Sequence, residues 1–150
     1  GNTEGIEPLS SNLYTRHTLA GNFVVVNQFL VNDLIDRNLW NAEMQAELIK
    51  HKGSVQDISS VPEDLKRLYK TTWEIKQRYV IDHAARRGKY ICQSQSLNLY
   101  FPQPSANQLS SAHFYAWKQG LKTGMYYLRA KPASEALNFS QEEECESCGS

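Results

Sequence analysis

Ser111-Ala112-His113-Phe114-Tyr115-Ala116-Trp117-Lys118-Gln119-Gly120-Leu121-Lys122-Thr123-Gly124-Met125-Tyr126-Tyr127-Leu128-Arg129 holds a helix, its stop signal and a strand in one continuous run. The spacing predicts a helix over about Asn107 to Lys122, closed near Gly124, with Tyr126 to Leu128 extended after it. The strand opens on adjacent tyrosines. A phenol can release a proton and an electron together, so two touching rings can relay a radical. The plainer reading is two strand aromatics whose hydroxyls find hydrogen-bond partners when buried.

Working backwards, Pro102 and Pro104 end a strand over Leu97 to Phe101, whose Leu97, Leu99 and Phe101 alternate inward. Tyr90 to Cys92 is β-prone as well, with Cys92 read as a small buried hydrophobe. A single long helix is expected from Pro62 to Arg87. Ser60 and Glu63 offer a capping box, Pro62 falls in the first turn, Leu65, Leu68, Tyr69, Thr72, Trp73, Tyr79 and Val80 form one stripe, and Gly88 stops it. Two shorter helices are expected near Gln28 to Arg37 and Ala42 to Lys50. Asn41 caps the second, Gly53 lies past its end, and Leu30 with Leu34 and Met44 with Leu48 are spaced by four. Leu19 to Val26 is β-prone with a turn at Gly21-Asn22, and residues 1–11 read as loop.

Forwards, the apolar pattern fades after Pro132. Ala133 to Ser150 reads as a mobile tail holding the acidic run Glu142-Glu143-Glu144 and the dithiol Cys145-Glu146-Ser147-Cys148. Such a pair suits thiol–disulfide exchange, because the tail can move while a short ring closes. A zinc half-site or an incidental tail dithiol is the bland alternative, but zinc wants four ligands and His17, His51, His83 and His113 stand singly. The thirteen residues from Pro132 to Cys145 reach about 45 Å fully extended and span about 20 Å as flexible coil. Four neighbouring glutamates would raise the thiol pKa and slow attack unless the acceptor site is positive.

Sixteen basic and sixteen acidic residues cancel, which gives no electrostatic case for nucleic acid or an anionic membrane. No apolar run approaches the ~20 residues of a spanning helix. Three cysteines without framework spacing fit a reducing, cytoplasmic compartment.

The run from Ser111 to Arg129 resembles the C-terminal region of the large, catalytic subunit of class I ribonucleotide reductase. So do Ser11-Asn12-Leu13-Tyr14-Thr15-Arg16, Pro62-Glu63-Asp64-Leu65-Lys66, Leu68-Tyr69-Lys70-Thr71-Thr72-Trp73-Glu74-Ile75 and Gln93-Ser94-Gln95-Ser96-Leu97-Asn98, in the same order. The resemblance implies an α/β class chain, residues 1–132 being the C-terminal portion of a ten-stranded α/β barrel and 133–150 a redox-active tail. Helix-rich with short strands, it is not expected to close a sheet alone, since unpaired strand edges need partners from elsewhere. A fragment, a split-gene product or a spliced-off half is the expectation.

The same resemblance implies that Tyr126 and Tyr127 relay a radical, and that Cys145 and Cys148 take electrons from thioredoxin or glutaredoxin to reduce an active-site disulfide. It implies ribonucleoside diphosphates as substrates, a small subunit carrying a di-iron tyrosyl-radical cofactor, and no cofactor or metal in this chain. The radical cysteine, the substrate-diphosphate loop and the nucleotide-effector sites would lie in an upstream portion, without which the chain is inactive. A non-catalytic helical interaction module built on this fold is the alternative, though such a module needs neither the tyrosine pair nor the dithiol.

Overall fold

The computed structural model describes residues 6–131. Nine elements follow in order: β1 (Leu13–Thr18), β2 (Gly21–Val26), α1 (Gln28–Asp36), α2 (Ala42–Lys50), α3 (Glu63–Leu68), α4 (Gln77–Gly88), β3 (Asn98–Tyr100), α5 (Ala106–Lys118) and β4 (Tyr127–Arg129). β1 and β2 form an antiparallel hairpin from Leu13↔Val26 to Thr18↔Gly21, so its two-residue loop is Leu19-Ala20, earlier than the expected turn. β1 itself lacks the Val-rich run that marked β2, and its Arg16 and His17 hid it. β3 and β4 pair in parallel through Asn98↔Tyr127, Leu99↔Leu128 and Tyr100↔Arg129. Neither two-stranded sheet closes among the described residues, as expected for a piece of a larger barrel.

The core falls into two clusters. The first gathers Leu30 and Leu34 of α1, Met44 and Leu48 of α2, the loop residues Val55, Ile58 and Val61, then Leu65 and Tyr69. The i, i+4 pairs read from the sequence are thus the ones buried. Asn27 and Asn41 cap α1 and α2 by accepting from the N–H groups of Phe29 and Met44. Both helices end in Schellman turns, with Leu39 N–H reaching Leu34 O at 2.8 Å and Gly53 N–H reaching Leu48 O at 2.8 Å. The second cluster joins Val80, Ile81 and Ala84 of α4 to Leu97 and Leu99 on β3 and Ala116 on α5.

The expected long helix is two. α3 stops at Leu68, α4 starts at Gln77, and no side chain caps α3 at Pro62, so the Ser60–Glu63 box does not form. The backbone between them is claimed by one distant group and one local side chain. Thr72 N–H bonds to Leu9 O at 2.8 Å and Thr71 N–H to the Glu74 carboxylate at 2.7 Å. Trp73 meets Tyr100 edge-on at 5.2 Å. Adjacent β-branched threonines lower helix propensity locally, so these contacts win. The expected stripe therefore splits: Leu65, Tyr69, Thr72 and Val80 are buried, while Leu68 and Tyr79 face outward.

Candidate functional site

β3, α5 and β4 form one strand–helix–strand unit that presents the tyrosine pair. Ser105 and Gln108 build a full capping box at the start of α5. The helix ends at Lys118, a turn before the expected Lys122. Gly120 there takes φ +78°, Gly120 N–H bonds Trp117 O and Leu121 N–H bonds Ala116 O. This Schellman turn needs a left-handed residue, which glycine supplies without steric cost. Leu121 and Met125 then pack on the second cluster and aim the chain back along β3.

Tyr126 lies in the bend before β4, its N–H bonded to Leu97 O at 2.7 Å, and Tyr127 opens the strand beside Asn98. Consecutive strand residues point to opposite faces. Tyr126 is outside that alternation, so the rings can meet: their centroids are 4.4 Å apart at an interplanar angle of 69°. The guanidinium of Arg129 sits 5.0 Å over the Tyr127 ring. Tyr126 is 63% and Tyr127 49% exposed, so neither is a core aromatic here. The strand begins one residue later than expected.

Cys145 and Cys148 lie outside the described residues. Cys92 is exposed, contrary to the buried reading, and residues 90–92 form a loop instead of a strand. The Lys122 ammonium holds that loop by donating to the carbonyls of Ile91 at 2.8 Å and Cys92 at 3.1 Å. Among the described residues no three His, Cys, Asp or Glu side chains converge as a metal cage requires, and no helix is long and apolar enough to cross a membrane.

One polar constellation escaped the sequence reading. Tyr115 on α5 donates to Asp82 on α4 at 2.6 Å, and Arg78 Nε donates to the Tyr115 oxygen at 2.9 Å with its guanidinium 5.1 Å from the ring centroid. The Tyr115 hydrogen bond, then the charges around it, hold the Arg78 guanidinium above its ordinary pKa. Arg78 and Asp82 are spaced i, i+4 and could have been noticed as a helix pair. Their partner on α5 follows from the packing of two helices, which no local pattern records. Gln77 is similar. Buried at the first position of α4, it donates to Thr72 O and Ile75 O and accepts from Tyr100 N–H at 3.0 Å, joining the helix start to β3.

Comparison with known proteins finds relatives of one kind. Residues 1–127 match the family described as ribonucleotide reductase, barrel domain. The chain is 56% identical over 140 residues to a ribonucleoside-diphosphate reductase large subunit of Plasmodium falciparum, covering 93% of this chain and 17% of that protein. It is 53% identical over 144 residues to the large subunit of Danio rerio, covering 96% and 18%. Among solved structures it resembles the class Id ribonucleotide reductase alpha subunit of Actinobacillus ureae, with a TM-score of 0.73 and 33% identity over 85% of this chain and 23% of that one. The chain thus spans less than a fifth of the length of these curated relatives.

Proposed function

Because the chain belongs to the ribonucleotide reductase barrel-domain family, we propose that it is the C-terminal part of a ribonucleoside-diphosphate reductase large subunit. The assembled enzyme would reduce ribonucleoside diphosphates to deoxyribonucleoside diphosphates by radical chemistry in the cytoplasm. Its partners would be the upstream barrel portion, which carries substrate and nucleotide effectors, and a small subunit holding a di-iron tyrosyl-radical group. That group would belong to the small subunit, as the resemblance to the family implies. When bound there it would supply the oxidising equivalent. Residues 1–132 would be barrel and 133–150 a redox tail.

The observation that carries this reading is the contact between Tyr126 and Tyr127. Rings 4.4 Å apart are close enough for an electron to pass as one phenol gives up its proton and the other regains one. The exposure of both rings suits a surface that the rest of the holoenzyme would cover. Each turnover would oxidise a dithiol in the upstream portion. Cys145 and Cys148 would then exchange with that disulfide, two electrons and two protons leaving the tail as its own disulfide forms, and thioredoxin or glutaredoxin would reverse this. Alone, the chain would bind substrate poorly and turn nothing over.

Tyr126→Phe and Tyr127→Phe in the reconstituted holoenzyme test the reading. Each keeps its ring and removes the phenolic proton, so nucleotides and small subunit should still bind while product formation vanishes with any reductant, small dithiols included. Substantial activity in either variant would make the pair structural.

A further inference from the structure

All sixteen basic residues fall within residues 6–131 beside ten of the sixteen acidic ones, so the described part carries a formal charge of +6. Residues 132–150 carry Glu135, Glu142, Glu143, Glu144 and Glu146 and no cation. The overall zero therefore conceals a cationic folded body and an anionic segment on one chain, and opposite charges tethered together attract.

Part of that positive charge lines a single groove. Between α4 and α5 lies an open trough of about 470 Å³ bordered by Arg78, Asp82, Arg86 and Lys89 on one side and Tyr115 and Gln119 on the other. Arg78 is committed to Tyr115 and Asp82. The side chains of Arg86 and Lys89 have no hydrogen-bond or ion-pair partner among the described residues, and both residues are exposed. The cations are strung along the helix: from Arg78 to Lys89 is about 16 Å at ~1.5 Å per residue. An extended Glu142–Glu146 segment is about 14 Å long at ~3.4 Å per residue. A linear run of carboxylates matches such a stripe better than a compact anion does.

The chain leaves the described structure near the Arg78 end of α4, within reach of the Arg86 and Lys89 end. Lys131 N–H bonds Pro102 O at 3.3 Å and its ammonium lies 5.5 Å from the Trp73 ring, while nearby Tyr100 is tied to Gln77, the residue before Arg78. From Lys131 to Glu142 the backbone can span about 38 Å, against a length of about 18 Å for α4.

We propose that Glu142–Glu146 docks along this groove with its carboxylates against Arg86 and Lys89, parking Cys145 and Cys148 on the α4 surface. Exposed ion pairs are individually weak, but tethering supplies an effective concentration in the millimolar range. The docking is therefore reversible and salt-sensitive. It rests on charge and reach, and stands whether or not the dithiol is redox-active.

Carbodiimide coupling tests it, because that reagent joins a carboxylate to a lysine amine only when the two are in contact. The 150-residue chain, assembled with the upstream barrel portion, is treated at low salt, digested and analysed by mass spectrometry. The expected product is an intrachain amide between Lys89 and one of Glu142, Glu143, Glu144 or Glu146, more abundant than tail links to any other lysine. Arg86→Glu should lower it about fivefold, as losing one exposed pair and adding a like charge would, and raised salt should suppress it. Lys89 links that persist undiminished in Arg86→Glu and at high salt would overturn the proposal. So would tail links spread evenly over the other lysines, or none at Lys89 in unaltered protein.

Discussion

Asn12 and Gly53 are joined twice: the buried Asn12 amide donates to Gly53 O at 3.0 Å, and Asn12 N–H points to the same oxygen at 3.3 Å. The amide also donates to Tyr69 O at 2.9 Å, and its oxygen accepts from Asn27, the cap of α1. One side chain thereby joins the hairpin, the end of α2, the end of α3 and the start of α1. Gly53 cannot be replaced cheaply, for it takes φ +79° and an added Cβ would lie 2.6 Å from Leu13 N and collide with the Ser11 hydroxyl.

Asn12→Ala should therefore destabilise by about 2–4 kcal/mol, since buried carbonyls and an amide lose their partners together. Gly53→Ala should cost about 2 kcal/mol or more through backbone strain and overlap. Chemical denaturation of the assembled large subunit, compared with unaltered protein, measures both.

Tyr69 makes stability pH-dependent on the alkaline side. Burial, then the hydrogen bond it donates to Asp33 and that carboxylate's charge, push its phenol up to about 12. A folded pKa raised above its unfolded value near 10 means the contribution is complete below about pH 10 and is lost as pH climbs through 12. Tyr69→Phe should flatten the fall in melting temperature across that window. An identical alkaline profile in both proteins would show that another group governs it.

The dithiol and the tyrosines should separate kinetically. Cys145→Ser or Cys148→Ser should stop thioredoxin- or glutaredoxin-driven turnover, and a small dithiol that reaches the active site should restore much of it. The tyrosine variants should not be rescued. Unchanged thioredoxin-driven rates in both cysteine variants would remove the tail from the reduction cycle.

Association should follow from the surface. Phe114 and Trp117 on α5, Tyr126 in the bend and Tyr127 on β4 are exposed, and large aromatics grouped outward are the kind of surface an interface covers. Mixed with the upstream barrel portion, the chain should form a stable non-covalent complex in the ultracentrifuge. A compact, cooperative monomer with no affinity for that portion would contradict the assignment.

How much of this could be read beforehand depended on how local the cause was. Asn41, Leu30, Leu34, Met44 and Leu48 act within one helix turn of their neighbours, and the spacing carried them. The break between Leu68 and Gln77 was not legible, because no Pro or Gly marks it and the groups that claim Thr72 and Tyr69 are Leu9 and Asn12, far away in sequence. β1 was hidden for a related reason: its partner β2 supplies the pairing, while its own polar residues give no clear alternation. At the site, the tyrosine pair was visible as a motif, but the exposure of its rings and the Arg78–Asp82–Tyr115 set depend on how β4 and α5 pack.

The parallel pairing of β3 and β4 also bears on the resistance of this region to aggregation. Each strand is three residues long, and among the described residues each has one edge without a strand neighbour. Tyr126-Tyr127-Leu128 is the kind of aromatic, β-prone segment that recruits identical copies and seeds aggregates. Arg129 and Lys131 follow it directly, and charges in that position act as gatekeepers against edge-to-edge stacking. The two cations would thus guard this edge against self-association whenever it is left uncovered.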